Sequence, residues 1–326
     1  MSFRRFLSFR RFSFAIVTAG VLAAGVLAPT AFRDAPEEQQ VTVTAAAAAA
    51  RTTSVRYGPY TIPAATQEEH GELPNQIALN VKKPCTNCYI TGFKPNLVYA
   101  DGTTANVNTG PMLHHVVFFN SAKRDTVCSG PQRVMSSGNE RMESVFPAGY
   151  GFKVNSSDRW TLLYDLMNHG HEEKQVFIEF TFTYESSWGS RIKPVTPIWM
   201  DAGGCASSTW DVPVGEPSER SRTWRSTISG DLVHMRGHLH HAGITVKTEN
   251  ETTGSLLCRS DAEEGGTPEF IDHHGRTEVS NMPTCTGTPL GRINRGDTLK
   301  ITANYKAMEH AHHGVMGIMT GWVDEG

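Results

Sequence analysis

Histidine clusters are the chemically most informative feature of this sequence, which carries 14 histidines in 326 residues. Neutral imidazole is a good ligand for zinc, copper, iron and nickel, and histidine also titrates near neutral pH. No clear pair of carboxylates and no Ser-His-Asp arrangement accompanies these clusters. Metal binding is therefore the chemistry that the histidines indicate most directly.

The first half of the chain offers three imidazoles. His114 and His115 are adjacent in a run of β-branched and aromatic residues, where successive side chains point to opposite faces of a strand. Both can bind one metal only if the strand is bulged or twisted there; the alternative is one core-facing and one exposed histidine. Either His169 or His171 could complete a set of three.

The second half offers two imidazoles and a sulfur atom. His238 and His240 are two residues apart, so on one strand they share a face and could chelate a metal; ordinary surface or core histidines are the alternative. Met316, with Met319 as its alternative, could add a thioether, which favours copper over zinc or magnesium, although methionine in a strand more often fills a core. His312 or His313 could join either site or orient a ligand by hydrogen bonding.

The elements that must position these side chains are β-strands. Short alternating or β-branched runs recur between turn residues, and long helical periodicities are missing. Ser186–Pro197 is rich in turn residues and divides the body, so we expect an all-β protein with two antiparallel jelly-roll or β-sandwich domains in tandem, at 54–190 and 191–326. The clearest predicted strands are Gln76–Val81, Leu113–Phe119, Trp160–Leu166, Gln175–Tyr184, Ile244–Thr248 and Thr298–Tyr305.

The first 33 residues have the layout of a secretory signal. Two arginine pairs precede the apolar stretch Phe14–Ala28, and small residues follow it. A twin-arginine signal and an uncleaved anchor helix are the alternatives, although the apolar stretch is short for a membrane span. Residues 34–53, which include six consecutive alanines, are predicted to be a low-complexity tether. We therefore expect a secreted, extracytoplasmic protein with no membrane span beyond such an anchor.

The charge distribution argues against a nucleic-acid partner. The net charge is −3, and the first 33 residues contain five arginines and no acidic residue, so the remaining chain is more acidic still. Binding to phosphates requires a surface rich in lysine and arginine.

The six cysteines fit an exported protein, since an even number in such a chain predicts up to three disulfides. Cys258 with Cys285 is the favoured pair, and Cys128 with Cys205 is a further option. Cys85-Thr-Asn-Cys88 lacks the second CxxC of a zinc site, so a local disulfide is favoured over a redox pair.

The order of these histidines resembles that of the copper type II, ascorbate-dependent monooxygenases, the peptidylglycine α-hydroxylating and dopamine β-monooxygenases. The resemblance implies two jelly-roll domains with one copper each. The electron-accepting copper would be held by His114, His115 and His169, with His171 as the alternative. The oxygen-activating copper would be held by His238, His240 and Met316, and Arg236 would bind the substrate or form a surface salt bridge.

The C-terminal half resembles the stress up-regulated Nod19 family more closely. Ala303-Asn-Tyr305 and His312-His-Gly-Val-Met316-Gly317 carry this resemblance. Three residues depart from the peptide-hydroxylating enzymes: Ile318 and Thr320 replace an Asn and a Tyr that help to bind the substrate carboxylate, and Gly317 replaces a Cys. Peptidylglycine is therefore not indicated as the substrate.

Together these observations predict a secreted dicopper monooxygenase. It would hydroxylate a C–H bond of a small-molecule or peptide substrate with O2 and an external reductant such as ascorbate. A non-catalytic copper-binding or stress protein on the same scaffold is the first alternative. A zinc-dependent hydrolase that uses the first-half histidines, or a carbohydrate-binding jelly roll, is the second.

Overall fold

The computed structural model describes residues 49–66 and 69–326, so the predicted signal and most of the predicted tether lie outside the described residues. The described chain consists of strands and loops, with no α-helix and two short 3-10 segments at Val107–Thr109 and Pro268–Phe270. The strands are β1 (Arg51–Ile62), β2 (Gly71–Val81), β3 (Cys88–Val98), β4 (Pro111–Arg124), β5 (Pro131–Ser137), β6 (Ser144–Val145), β7 (Tyr150–Val154), β8 (Trp160–Asn168), β9 (Lys174–Ser186), β10 (Lys193–Pro194), β11 (Thr196–Asp201), β12 (Trp210–Val212), β13 (Ser218–Arg225), β14 (Gly230–Leu239), β15 (Gly243–Asn250), β16 (Ser255–Asp261), β17 (Glu263–Glu264), β18 (Val279–Asn281), β19 (Cys285–Ile293), β20 (Thr298–Tyr305), β21 (His312–Val315) and β22 (Gly317–Asp324).

The six strands predicted from the sequence are all present: Thr298–Tyr305 has the observed bounds of β20, and the other five lie within longer observed strands. Strand β9 shows why the pattern is informative. Its alternate residues Val176, Ile178, Phe180 and Phe182 are completely buried, because a pleated strand turns every second side chain to the same face. The first strand begins at Arg51, so the last three residues of the expected tether belong to the sheet.

The all-β prediction is confirmed, and the strands are divided among six sheets. All sheet pairings are antiparallel except that of β7 with β10. Strands up to Pro194 pair with one another, in the orders β1-β9-β3-β7-β10 (with β6 against β3) and β2-β8-β4-β5. Strands from Thr196 onward form the sheets β11-β22-β14-β19 and β13-β20-β15-β16 and two two-stranded ribbons, β12-β21 and β17-β18.

Among the residues that the structure describes, two buried apolar clusters form, one mainly in each half of the chain. Trp322 of β22 joins the first cluster although it belongs to the second half, and its ring centroid lies 5.2 Å from that of Phe146. The His234 ring packs against the same tryptophan at 5.1 Å. The two halves therefore share an aromatic seam, which fixes β14 relative to the first half.

His234 should make the protein less stable in acid. Burial is the main reason why the pKa of His234 falls from 6.5 to about 4, so the native state leaves it neutral while the unfolded chain takes up a proton. Its contribution is fully present above pH 6.5 and is lost as the pH falls toward 4, by about 3 kcal/mol. We expect His234→Phe to flatten the decline in unfolding free energy between pH 6.5 and 4, as measured by urea denaturation. An unchanged slope would contradict this assignment.

All three expected disulfides are present: Cys85–Cys88, Cys128–Cys205 and Cys258–Cys285. Cys128–Cys205 spans 77 residues and connects the loop after β4 with the loop after β11, so it links the two halves.

Within the described residues, no helix is both long and apolar enough to cross a membrane.

Replacing Cys128 and Cys205 with alanine should have the largest effect of any disulfide removal. The loop-entropy relation gives about 4.5 kcal/mol for this loop and about 2 kcal/mol for the short Cys85–Cys88 loop. Thermal unfolding of the two double variants measures the difference. Equal losses would show that chain entropy is not the main contribution of these bonds.

Candidate metal centre

A β-bulge brings the adjacent histidines of β4 to the same side. The register of β4 against β8 shifts between Leu113 and His115, so that His114 is the extra residue. A bulge changes the direction of side chains locally. The ring centroids of His114 and His115 therefore lie only 4.0 Å apart, the arrangement that a regular strand could not provide.

The third imidazole comes from the other half of the chain. His240 directly follows β14, and its backbone N–H donates to the Tyr305 hydroxyl at 2.9 Å. Its Nε2 lies 2.7 Å from Nε2 of His115. One nitrogen from each of His114, His115 and His240 falls within 4.8 Å of the others. We call these three residues the central triad.

Two imidazoles of the central triad, those of His115 and His240, are kept neutral by their surroundings. Burial lowers the pKa of His115 and of His240 well below 6.5, and the neighbouring imidazoles lower both further. A neutral imidazole keeps the lone pair that a metal requires. Without an ion, two Nε2 atoms 2.7 Å apart can share only one proton between them. Three imidazoles at such close range provide the nitrogen donors of a transition-metal site.

His238 lies beside the central triad and is oriented by a buried carboxylate. Its ring centroid is 5.2 Å from that of His115 and 5.3 Å from that of His240. Its Nδ1 lies 3.2 Å from Oε2 of Glu140, and its Nε2 is buried without a hydrogen-bond partner among the described residues. An Nδ1–H that donates to a carboxylate leaves Nε2 as a free lone pair, as in carboxylate–histidine–metal arrangements. His238 is thus a further candidate ligand.

Glu140 remains ionised at this position. Burial by itself raises its pKa, but the His238 imidazole and the Arg236 guanidinium outweigh burial and bring the pKa to about 2. The guanidinium of Arg236 is 3.7 Å from Oε1 of Glu140 and is almost fully buried. Its Nη1 also donates to the Ser136 carbonyl at 3.1 Å. The structure therefore places Arg236 behind the site, where it is neither a cavity-lining substrate contact nor a surface salt bridge.

His169 is not part of the central triad. It is buried next to His70, with ring centroids 4.4 Å apart, and its Nδ1 lies 3.6 Å from Oδ2 of Asp272. Burial lowers its pKa to about 4. Its alternative, His171, is exposed and groups with His273 and His274. The two alternatives thus lie in different surroundings, since His169 contacts residues of both halves while His171 faces solvent.

The two methionines occupy different places. Met319 is completely buried in the second apolar cluster, where it fills core space. Met316 lies between β21 and β22 and lines the same cavity as the central triad. Its backbone carbonyl accepts a hydrogen bond from Tyr305, the residue that also holds His240. His312 lines the cavity as well, and its ring is 5.8 Å from that of His241.

A cavity of about 680 Å³ opens over these residues. Both halves of the chain line it, and its walls combine imidazoles with apolar groups such as Met112, Leu239 and Val279. A volume of this size suits a small-molecule ligand. The residues around the triad fit copper, because nitrogen and thioether donors border one cavity and the unpartnered Nε2 of His238 lies among them.

Four residues that contribute to the site are not identified as site residues by the sequence, although Tyr305 belongs to the motif Ala303-Asn-Tyr305. Glu140 supports His238, Asp165 has an oxygen 3.4 Å from Nδ1 of His114, Tyr305 positions His240, and Asp272 faces His169. Each lies far along the chain from the histidine it contacts, so only the folded structure brings the pairs together.

Comparison with known proteins gives two further findings. A family model described as Stress up-regulated Nod 19 matches residues 215–325, which confirms the predicted likeness of the C-terminal half. The chain is also similar to "Probable copper-dependent oxygenase M1" of Phoma sp., with 28% identity over 274 residues that cover 80% of this chain and 67% of the relative. "Probable copper-dependent oxygenase clz3" of Cochliobolus lunatus is 26% identical over 227 residues, 66% of this chain and 70% of the relative.

Among solved structures, a peptide-N(4)-(N-acetyl-β-D-glucosaminyl)asparagine amidase aligns with 84% of this chain and 97% of its own. The TM-score is 0.44 and the identity 7%, values too low to transfer either fold or function. The sequence similarity to the two proteins named as probable copper-dependent oxygenases is therefore the more informative comparison. The resemblance to the ascorbate-dependent monooxygenases stays a prediction.

Proposed function

We propose that this chain is a copper-dependent oxygenase whose metal is held by His114, His115 and His240. The observation that carries the proposal is the meeting of imidazoles from both halves, with the Nε2 atoms of His115 and His240 2.7 Å apart above a cavity of about 680 Å³. The names of the two fungal relatives support copper and oxygenation. The reaction inserts one oxygen atom of O2 into a substrate C–H bond.

Copper bound at the triad would supply the one-electron chemistry that dioxygen activation requires. Hydroxylation consumes one O2, two electrons and two protons, and it yields the alcohol and one water. The two electrons come from an external reductant, for which we propose ascorbate or a compound of similar potential. Burial keeps the imidazoles of His115 and His240 neutral, and Glu140 accepts a hydrogen bond from Nδ1 of His238. The cavity walls position a small-molecule or peptide substrate.

The number of coppers separates two versions of this proposal. In a two-copper enzyme, His114, His115 and His169 would hold one ion while His238, His240 and Met316 hold the other. A shared centre is better supported, because His240 contacts His115 directly whereas His169 is paired with His70 and Asp272. One copper in the central cavity is therefore the version that we propose.

The strand order and the disulfides support two further proposals, on the fold of each half and on secretion. The two-residue strands β6 and β10 aside, each half has eight strands in its two large sheets. Numbered in chain order within each half, they give the same arrangement, 1-8-3-6 in one sheet and 2-7-4-5 in the other. We propose that each half is a jelly roll on this basis. Three disulfides and no free cysteine suit an oxidising compartment, so secretion is proposed as well.

Oxygen uptake tests the function directly. The full chain, loaded with copper and freed of excess metal, should consume O2 when ascorbate and a substrate library are supplied, and a product should gain one oxygen atom by mass spectrometry. The same chain loaded with zinc is the control and should be inactive. Copper retention without uptake or product would favour the non-catalytic copper-binding alternative. Hydrolysis by the zinc form would favour the hydrolase.

Met316→Leu tests the thioether. Leucine is close to methionine in volume and has no sulfur, so the fold should remain while the affinity for Cu(I) and the turnover fall by about tenfold or more. Competition with a Cu(I)-specific chelator measures the affinity. Met319→Leu is the matched control, since Met319 is a core residue of the next strand and should leave both values unchanged. Equal behaviour of the two variants would show that Met316 is not a ligand.

A further inference from the structure

A second histidine cluster lies outside the site described above. His171 belongs to the turn between β8 and β9, and His273 and His274 belong to the loop between β17 and β18. One nitrogen from each lies within 4.8 Å of the other two, and all three side chains are exposed. The ring centroids of His273 and His274 are 3.9 Å apart, and that of His171 is 5.7 Å from His273.

The loop that carries His273 and His274 is held in shape by a buried aspartate. Oδ1 of Asp272 accepts hydrogen bonds from the backbone N–H groups of His274 at 2.8 Å and Arg276 at 2.9 Å. Its Oδ2 accepts from Nε of Arg276 at 2.7 Å. The two imidazoles are therefore presented by a fixed backbone, so a metal would not have to order the loop first.

The His171 ring is also supported by the backbone, in this case by a carbonyl group of the first half. Its Nδ1 lies 3.3 Å from the Ala65 carbonyl, which can accept a proton from this nitrogen. The backbone N–H of Ala65 in turn donates to the Gly170 carbonyl at 2.8 Å, which fixes the turn. With the proton on Nδ1, Nε2 keeps the lone pair. A carbonyl behind a ligating histidine is the usual support for metal binding.

We propose that His171, His273 and His274 form a second metal site for a divalent late first-row ion, with Cu(II) bound most tightly. Three imidazoles suit copper, zinc and nickel, and among these Cu(II) has the highest intrinsic affinity. Exposure leaves the remaining positions to water. Such an ion would cross-link the β8–β9 turn of the first half to the β17–β18 loop of the second half. Binding only to the folded state would also raise the unfolding temperature.

Copper titration of the full chain in a His240→Ala background tests this site separately from the central triad. After chelation and dialysis, the His240→Ala chain should retain one Cu(II), and His240→Ala/His273→Ala/His274→Ala should retain none. His240→Ala/His310→Ala/His313→Ala is the matched control. It removes two other exposed histidines and should still retain one Cu(II). Adding Cu(II) should raise the unfolding temperature of the parent and the control but not of the His273/His274 variant.

Two results would overturn the proposal. One is equal copper retention in the parent and the His273/His274 variant. The other is equal loss in the variant and the control, which would show adventitious binding to surface histidines. If the central triad binds no metal, His240→Ala will match the unaltered chain while the His273/His274 pair still governs one equivalent. Failure of the proposed function is therefore distinguishable from failure of this site.

Discussion

His240→Ala should remove copper from the central cavity and abolish oxygenase activity. His240 is the only member of the central triad that the second half of the chain supplies, and its Nε2 lies 2.7 Å from that of His115. Loss of a residue that merely orients a ligand lowers metal affinity by about 10–100-fold, so loss of a ligand should exceed about 100-fold. Competition with a chelator measures the affinity, and oxygen uptake measures the activity.

His313→Ala is the control for His240→Ala, because it removes a histidine that is not part of the central triad. His313 is exposed, lines the same cavity and pairs with Asp211 at 3.1 Å. His313→Ala should leave copper affinity within about twofold of the unaltered chain, because an exposed ion pair contributes little. If both variants lost copper equally, or if His240→Ala kept it, the central triad would not be the binding site.

Gly138→Ala should weaken the site without removing any ligand. A Cβ atom at position 138 would lie 2.3 Å from Cε1 of His238 and 2.5 Å from Oε2 of Glu140, far closer than packed atoms allow. The His238–Glu140 pair must shift, so copper affinity should fall by about 10–100-fold, the usual effect of disturbing the support of a ligand. Isothermal titration with Cu(II) measures the change.

Glu140→Gln tests whether the negative charge of Glu140 supports His238 as a ligand. Glutamine keeps the shape but removes the negative charge that faces His238 and Arg236, so copper affinity should fall by a similar factor. The buried Arg236 then lacks its partner, so we also expect lower stability by about 3–5 kcal/mol. Unfolding in urea separates the two effects. Unchanged affinity in both Gly138→Ala and Glu140→Gln would exclude His238 from the metal centre.

The strands could be predicted from the sequence because their signal is local. Alternation over Gln175–Tyr184 marks a buried face, and the observed strand β9 buries Val176, Ile178, Phe180 and Phe182 completely. The need for a bulge at His114 also follows from strand geometry alone. The observed register shift between Leu113 and His115 supplies it.

The way in which the histidines group could not be predicted, because it depends on how the halves pack. The resemblance to the ascorbate-dependent monooxygenases assigned His114 and His115 to one copper and His240 to another. The aromatic seam at Trp322 instead sets β14 against the first half and brings His240 to His115. Arg236 looked like a substrate contact because it lies two residues before His238. Its buried partner Glu140 comes from a loop of the other half, and no sequence pattern connects the two.

The most direct test of the central claim is anomalous diffraction at the copper edge from crystals of the copper-loaded full chain. We expect a strong peak between the imidazoles of His114, His115 and His240, which should disappear in His240→Ala crystals. Two separate peaks, one beside His169 and one beside Met316 and His238, would contradict the shared centre and restore the two-copper version. No copper peak in the cavity would contradict the proposed function itself.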